Sequence, residues 1–541
     1  METAMPDPLV TSRDGHRPGS ILGPVEHHVA VRPDAVALID GARRRTFAEL
    51  RRGWLRSAAA IAGSGLDVGD RIAVLDWNSI EVVELLLACA HSGTVLVPMN
   101  ARLTVAEHAQ VLRSARPRLV IAHRDLARTA REAVAAAGLS GVAVMTTGGD
   151  DGARDAGQDT YEGWRERAEE SVAPRDHHIF CITYTSGSTG KPKGVMIRHE
   201  AVTTFLPAAS GVWGFDERSV GLVPLPLFHV GAISWMLSST INGGSAVLLR
   251  RPDADEIMDA VERFGGTHIN VVPAVLQGML QSHRARPRDC STLRTVTCGG
   301  APVPEAFLRA AFSEFGCRVI AFYGLTEAGG GVSHQELLPE YLDGRNAERL
   351  LSSGRAIEGI TVQIRDLGTA APVPAGVEGE IVVRTPGLMA GYWDDPDLTA
   401  RTIDSGCWLR TGDIGYMDAE GYLFLRGRLK DVIISGGENI HAAELENVIL
   451  RHPGVREACV VARPHERWGE TPVAVVVCDE SADVAPAAVI AWCREHLAGY
   501  KCPTQAVVVP EIPRTATGKY AKNVIRRSME KYGPDELHLH L

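Results

Sequence analysis

The residues from Tyr184 to Ala201 read YTSGSTGKPKGVMIRHEA, and their chemistry suits the capture of an anion. The hydroxyls of Thr185, Ser186, Ser188 and Thr189 sit among Gly187, Gly190 and Gly194, after a β-like run and before a helical stretch. Small residues let backbone N–H groups close around phosphate oxygens, hydroxyls add donors, and Lys191 and Lys193 add charge. The loop is not of the Walker type: only two residues separate Gly187 from Gly190, and Pro192 follows Lys191 where a magnesium-binding Ser or Thr would be needed.

Further motifs carry chemistry downstream. YGLTE, Tyr323 to Glu327, ends a predicted strand, where ligands meet open α/β sheets, and Glu327 could ligate a magnesium ion that takes one or two protein carboxylates plus phosphate oxygens. A helix-capping Thr-Glu pair reads the same way. GGAP, Gly299 to Pro302, follows another predicted strand, and Gly300 and Ala301 permit close backbone approach to a flat base. WLRTGD places Asp413 after a predicted turn, where one carboxylate could accept from two hydroxyls or simply cap the turn. Arg428, in GRLKDVIISGGENI, can offer a planar fork to ribose or phosphate oxygens. His229, in PLPLFHVGA, is either a general base or a satisfied histidine at the end of a buried strand. Lys519, in PRTATGK, lies on a Gly-containing loop where a lone lysine is usually solvated.

The run YTSGSTGKPKG resembles the hallmark loop of the adenylate-forming superfamily of acyl-CoA synthetases, firefly luciferases and peptide-synthetase adenylation domains. The motif order and spacing follow that family from about Pro24 to Arg527. The resemblance implies ATP held by Thr185, Ser186, Gly187, Ser188, Thr189, Gly190 and Lys193. It implies adenine between Gly300, Ala301 and Tyr323, ribose on Asp413 and Arg428, the α-phosphate on Thr326, and Mg2+ on Glu327. Lys519 is then the catalytic lysine bridging carboxylate and α-phosphate, and Lys430 the hinge of a small domain. Gly436 and Gly437 would line the thiol tunnel for coenzyme A, and His229, Gly329 and Gly330 the acyl pocket. After Lys519 the chain reads YAK where relatives often carry an aliphatic pair and Arg, which questions the local packing.

The implied reaction converts a small carboxylic acid to its acyl-adenylate and passes it to a thiol. Positioning and charge stabilisation do most of the work. Rotation about Lys430 would exchange the Lys519 loop for the SGGENI face between the half-reactions. The absence of a carrier domain makes free coenzyme A the default acceptor over a carrier-protein thiol, an amine or a small inorganic nucleophile. A non-catalytic nucleotide-binding protein of this fold would be expected to have lost Lys519, Glu327 or Asp413, and all three are present. The pocket segments 229–233, 270–273 and 328–332 hold no Asp or Glu to anchor a distal amine, which favours an apolar acyl or aryl acid.

These residues need a scaffold of several elements, and 541 residues is enough for two or three cores. From Arg71 to Ala122, and again from Ser245 to Gly324, β-rich runs alternate with amphipathic stretches. The expected fold is α/β: a large N-terminal domain (1–428) of two doubly wound sheets plus a small β unit, hinged to a small α+β domain (429–541). The most apolar stretch, Val82 to Met99, is interrupted by Glu84 and His91, so no membrane span is expected, and the N-terminus does not resemble a signal peptide. The ten cysteines lack a C-x-x-C pair, which points to a reducing, cytoplasmic setting. The net charge of -10 gives no general attraction to nucleic acid. A homodimer is compatible with the sequence. His538 and His540 read as a frayed tail.

Overall fold

The strands His268–Val271 and Val95–Pro98 are buried at every residue, the signature of β-structure covered on both faces. The structure, a computed structural model, describes residues 19–148, 160–168, 172–186, 192–301, 303–342, 344, 346–436, 438–479, 482, 484–514, 520–533 and 536–537, the side chains of Ser186 and Asn439 excepted. It divides into two units: Met1–Thr361 with Val383–Leu409, and Val362–Val382 with Arg410–Leu541.

The first unit holds two sheets. One has nine strands in the order Arg355–Ala356, Gly330–Glu336, Arg318–Leu325, Thr295–Gly299, His268–Val271, Val220–Val223, Ser245–Leu248, Val36–Asp40 and Arg43–Thr46. Its interior is parallel, and antiparallel strands close both edges. The N-terminal pair Val36–Asp40 and Arg43–Thr46 therefore completes the sheet of the second α/β half. Local alternation could not reveal this, because partner choice across that distance is tertiary. The other sheet has seven strands, in the order Gly391–Tyr392, Pro192–Arg198, Ile179–Ser186, Val95–Pro98, Arg71–Leu75, Leu119–His123 and Ala143–Thr147.

The helix Ile80–Ser92 is buried along its whole length, and Ser79 caps it by accepting from the Val82 N–H. Glu84, which interrupts the apolar run, is only 1% exposed. Its carboxylate meets Arg165 at 2.9 Å and Arg45 at 3.4 Å, so the charge is carried into the core with partners. No described helix is long and apolar enough to cross a membrane.

The second unit holds a four-stranded sheet of Thr361–Arg365, Gly379–Arg384, Leu409–Met417 and Leu423–Arg428; this is the small β unit, which the sequence reading assigned to the large N-terminal domain and which packs instead with the C-terminal part of the chain. It also holds a five-stranded sheet built on Val455–His465 and Gly469–Cys478. Alternation sorts this sheet's residues onto two faces. Ala458, Val460, Ala474 and Val476 pack with Leu445 and Val489, whereas Cys459, Val461, Val473 and Val475 pack with Ile525 and Met529. The departure at YAK is accommodated here. Tyr520 packs against the second cluster, and Lys522 forms an ion pair with Glu446 at 2.7 Å.

Candidate active site

Neighbouring parallel strands of the nine-stranded sheet lead at their carboxyl ends, where an open α/β sheet presents its crevice, into the expected adenine and turn residues of the first unit. Thr295–Gly299 runs into Gly300 and Ala301, and Arg318–Leu325 carries Tyr323 and leads to the short turn Thr326–Ala328. His268–Val271 leads to Pro273, and beyond Val220–Val223 comes His229. His229 is not at a strand end: it occupies the N-cap position of the helix Val230–Ile241, with its ring 4.5 Å from that of Phe228. Tyr323 is buried, opposite Ser333 on the adjacent antiparallel strand.

The Thr326 turn is laced from outside. The Met389 N–H donates to the Glu327 carbonyl at 2.9 Å. Gly329 has φ +78°, and a Cβ there would run into the backbone of Gly387, so its lack of a side chain lets the two segments meet. The same returning segment supplies Tyr392, whose hydroxyl donates to Glu327 Oε1 at 2.8 Å. The ammonium of Lys193 lies 5.4 Å from the Tyr392 ring centroid. One tyrosine thus touches both the expected metal carboxylate and the lysine of the expected phosphate loop. Sequence reasoning passed over Tyr392, whose only local signal is the aromatic pair Tyr392-Trp393 after Gly391.

The sequence reading placed a helix after the phosphate loop. That helix is His199–Trp213, which begins in the last residues of the segment 184–201, but a strand comes first: the chain forms a hairpin, Ile179–Ser186 against Pro192–Arg198. Burial alternates along Val195, Met196 and Ile197, with the two outer residues buried and Met196 half-buried, and pairing on both sides commits that run to a strand. Gly391–Tyr392 adds to its far edge, and the Trp393 N–H donates to the Gly194 carbonyl at 2.7 Å. A Cβ on Gly194 would sit 2.9 Å from Ile182 and 3.2 Å from Trp393, so this glycine serves close packing. Thr185 pairs with Lys193 across the hairpin. Gly187, Ser188, Thr189, Gly190 and Lys191 lie outside the described residues, as does the side chain of Ser186.

In the second unit, Asp413 is not after a turn but within the strand Leu409–Met417, directly opposite Arg428. Its side chain is 8% exposed and meets the Arg428 guanidinium at 2.8 Å. The rest of its motif holds it. The Thr411 hydroxyl donates to the Ile381 carbonyl and accepts from the Asp413 N–H, and Arg410 pairs with Glu380 at 2.7 Å. Lys430 is exposed on the turn Leu429–Asp431, next to Asp431, which Arg526 engages at 2.8 Å. Gly436 has φ +62°, and its N–H donates to the Trp468 carbonyl, with the indole packed over the Cα. Trp468 is a second residue that sequence reasoning missed. Gly437, Lys519, His538 and His540 lie outside the described residues.

Among the described residues no cluster of three or more His, Cys, Asp or Glu could hold a metal ion. An ion at Glu327 would draw most of its ligands from phosphate oxygens and water, as magnesium does.

A family model described as AMP-binding enzyme matches residues 25–393, and one described as AMP-binding enzyme C-terminal domain matches residues 444–519. Feruloyl-CoA synthase from Amycolatopsis sp is 36% identical over 92% of this chain and 96% of its own. Fatty acid–[acyl-carrier-protein] ligase ScoC from Streptomyces coeruleorubidus is 33% identical over 92% of this chain and 94% of its own. Among solved structures, ATP-bound MatB from Rhodopseudomonas palustris superposes with a TM-score of 0.85 at 28% identity, covering 95% of this chain and 99% of that one.

Proposed function

The chain belongs to the AMP-binding enzyme family, within the adenylate-forming superfamily, and on that premise we propose that it activates a carboxylic acid as its acyl-adenylate and transfers the acyl group to coenzyme A. The observation that carries the proposal is the contact of Tyr392 with both Glu327 and Lys193. It joins the acidic and basic halves of a triphosphate site through one rigid ring.

The roles follow from what each side chain can do. The hydroxyls and N–H groups around Thr185, with Lys193, bind the phosphates, and Thr326 donates to the α-phosphate as charge develops there. Glu327, held by Tyr392 and by its own laced backbone, orients a magnesium ion. A magnesium ion held there would supply charge neutralisation for the departing pyrophosphate. Asp413 accepts from the ribose hydroxyls, and its pairing with Arg428 fixes its direction. Lys519 bridges the carboxylate oxygen and the α-phosphate. No general base is needed in this half, because the attacking carboxylate is already an anion.

Lys430 is the hinge that exchanges the Lys519 loop for the face bearing Gly436 and Gly437, which makes 1–428 and 429–541 the functional domains. The acid is an apolar acyl or aryl acid, in keeping with the acid-free segments at His229, Asn270 and Gly329–Gly330 and with the feruloyl and fatty-acid relatives. All ten cysteines are unpaired, which fits a cytoplasmic enzyme. Pyrophosphate–ATP exchange over an acid panel, followed by thioester release with coenzyme A or a carrier protein as acceptor, tests the reading. Exchange without thioester formation from coenzyme A would leave adenylation standing and remove the proposed acceptor.

A further inference from the structure

The helix Val230–Ile241 begins at His229 and packs against the strand Gly330–Glu336, so its inward face borders the proposed acyl pocket. Two hydroxyls share that face one turn apart: Ser234, 2% exposed, and Ser238, 0% exposed. Neither Oγ has a hydrogen-bond partner among the described residues. Ser234 Oγ lies 3.9 Å from the point where a Cβ on Gly330 would stand, and the Phe205 ring edge lies 3.3 Å from that point. Phe205 belongs to the facing helix His199–Trp213, which brings two more buried polar atoms without partners among the described residues, Ser210 Oγ and Trp213 Nε1. The Trp213 ring sits 6.4 Å from Phe205 and 5.1 Å from Trp235, so it bridges the two helices.

The third serine of the same helix behaves differently. Ser239 donates to the Trp235 carbonyl, and Trp235 itself donates to the Leu222 carbonyl at 3.1 Å. That bond and the edge contact with Phe215 at 4.9 Å fix the Trp235 indole as a stiff back wall. Buried polar atoms are nearly always satisfied, and hydrocarbon placed against them would leave their desolvation unrecovered. Three hydroxyls can donate or accept, whereas the indole N–H can only donate, so the common complement is an oxygen acceptor.

We propose that the acid accepted here is compact and carries an oxygen at its distal end, a phenolic hydroxyl or a ketone, which Ser234 and Ser238 bind beside Gly330. The proposal rests on the acyl-pocket assignment above. The oxygen selects the acid, and the wall of Trp213 and Trp235 limits its length.

The test uses matched acids: 3-(4-hydroxyphenyl)propanoate against 3-phenylpropanoate, and 5-oxohexanoate against hexanoate, with dodecanoate as the long control. Each is followed by pyrophosphate exchange and, separately, by direct binding through tryptophan fluorescence of the full chain. The oxygenated member should lead in kcat/KM and in affinity by about tenfold, the worth of one or two recovered hydrogen bonds. In Ser234→Ala/Ser238→Ala that ratio should fall to within about twofold, with folding checked by thermal melting. Ser234→Thr, which retains a hydroxyl, should keep the preference. Equal or better use of the apolar member by the wild type, a ratio that survives the double alanine change, or preferred turnover of dodecanoate would overturn the proposal. Failure of every acid in exchange would instead count against the adenylation reading, and the fluorescence titrations would still decide the pocket.

Discussion

Replacing Tyr392 by Phe removes a single oxygen and keeps the ring that packs at 6% exposure beside Lys193. The lost bond is a 2.8 Å donation to a carboxylate, and hydrogen bonds to charged groups contribute about 1.5–3 kcal/mol. If that orientation is needed when Glu327 holds the metal, kcat/KM for pyrophosphate exchange should fall about 10- to 150-fold, at about 1.4 kcal/mol per factor of ten. The loss should appear as a raised magnesium requirement, because the freed carboxylate must be ordered by the ion itself. The melting temperature should change little. Tyr392→Leu, which also removes the ring under Lys193, should lose a further factor of about 2–5, as a cation–π contact of about 0.5–1 kcal/mol implies. Exchange titrated against magnesium at saturating ATP is the assay. A Phe variant within twofold of wild type, with an unchanged magnesium midpoint, would refute the assignment of Glu327 and Tyr392 to one metal-holding pair.

Lys519→Ala should abolish adenylate formation while largely sparing thioester formation from supplied acyl-adenylate; equal loss of both steps would remove the alternating-domain assignment. Arg165→Ala strands Glu84 in the core with Arg45 alone, and breaking such a buried pair should cost about 3–5 kcal/mol in chemical denaturation, a loss that Glu84→Gln in the same chain should partly restore. His268 is buried between Thr267 and the Gly214 carbonyl, and burial pushes its pKa down from 6.5 to about 4. The unfolded chain therefore binds the extra proton between those values, so this residue's contribution is full above pH 6.5 and is lost as pH falls toward 4. Asp76, raised by burial from 3.8 to about 6, acts in the opposite sense over much of the same range, which hides the histidine in wild-type curves. The stability difference between wild type and His268→Gln isolates it, and should shrink by up to about 3 kcal/mol from about pH 7 to about pH 4, because each pH unit separating the folded and unfolded pKa values is worth about 1.4 kcal/mol. A difference independent of pH would show that the ring is protonated alike in both states.

The strand-to-turn positions of Gly300 and Thr326 and the α/β rhythm were legible because each depends on neighbours in sequence: residue type, spacing and hydrophobic period. The same holds for Asp413 as a carboxylate of interest, although its local setting was misread. What makes it a strand residue is Arg428 across the ladder, a partner fifteen positions away. The N-terminal strands joined a distant sheet, a strand came between the phosphate loop and its helix, and Tyr392 reached Glu327. None of these follows from local pattern, since hydrogen-bond partners across a sheet and the approach of a returning segment are set by packing of the whole unit. Residue order by itself determined which reaction the chain can perform. Tertiary structure decided which side chains hold those groups in place, and it buried Ser234 and Ser238 without partners among the described residues, on the wall of the proposed acyl pocket.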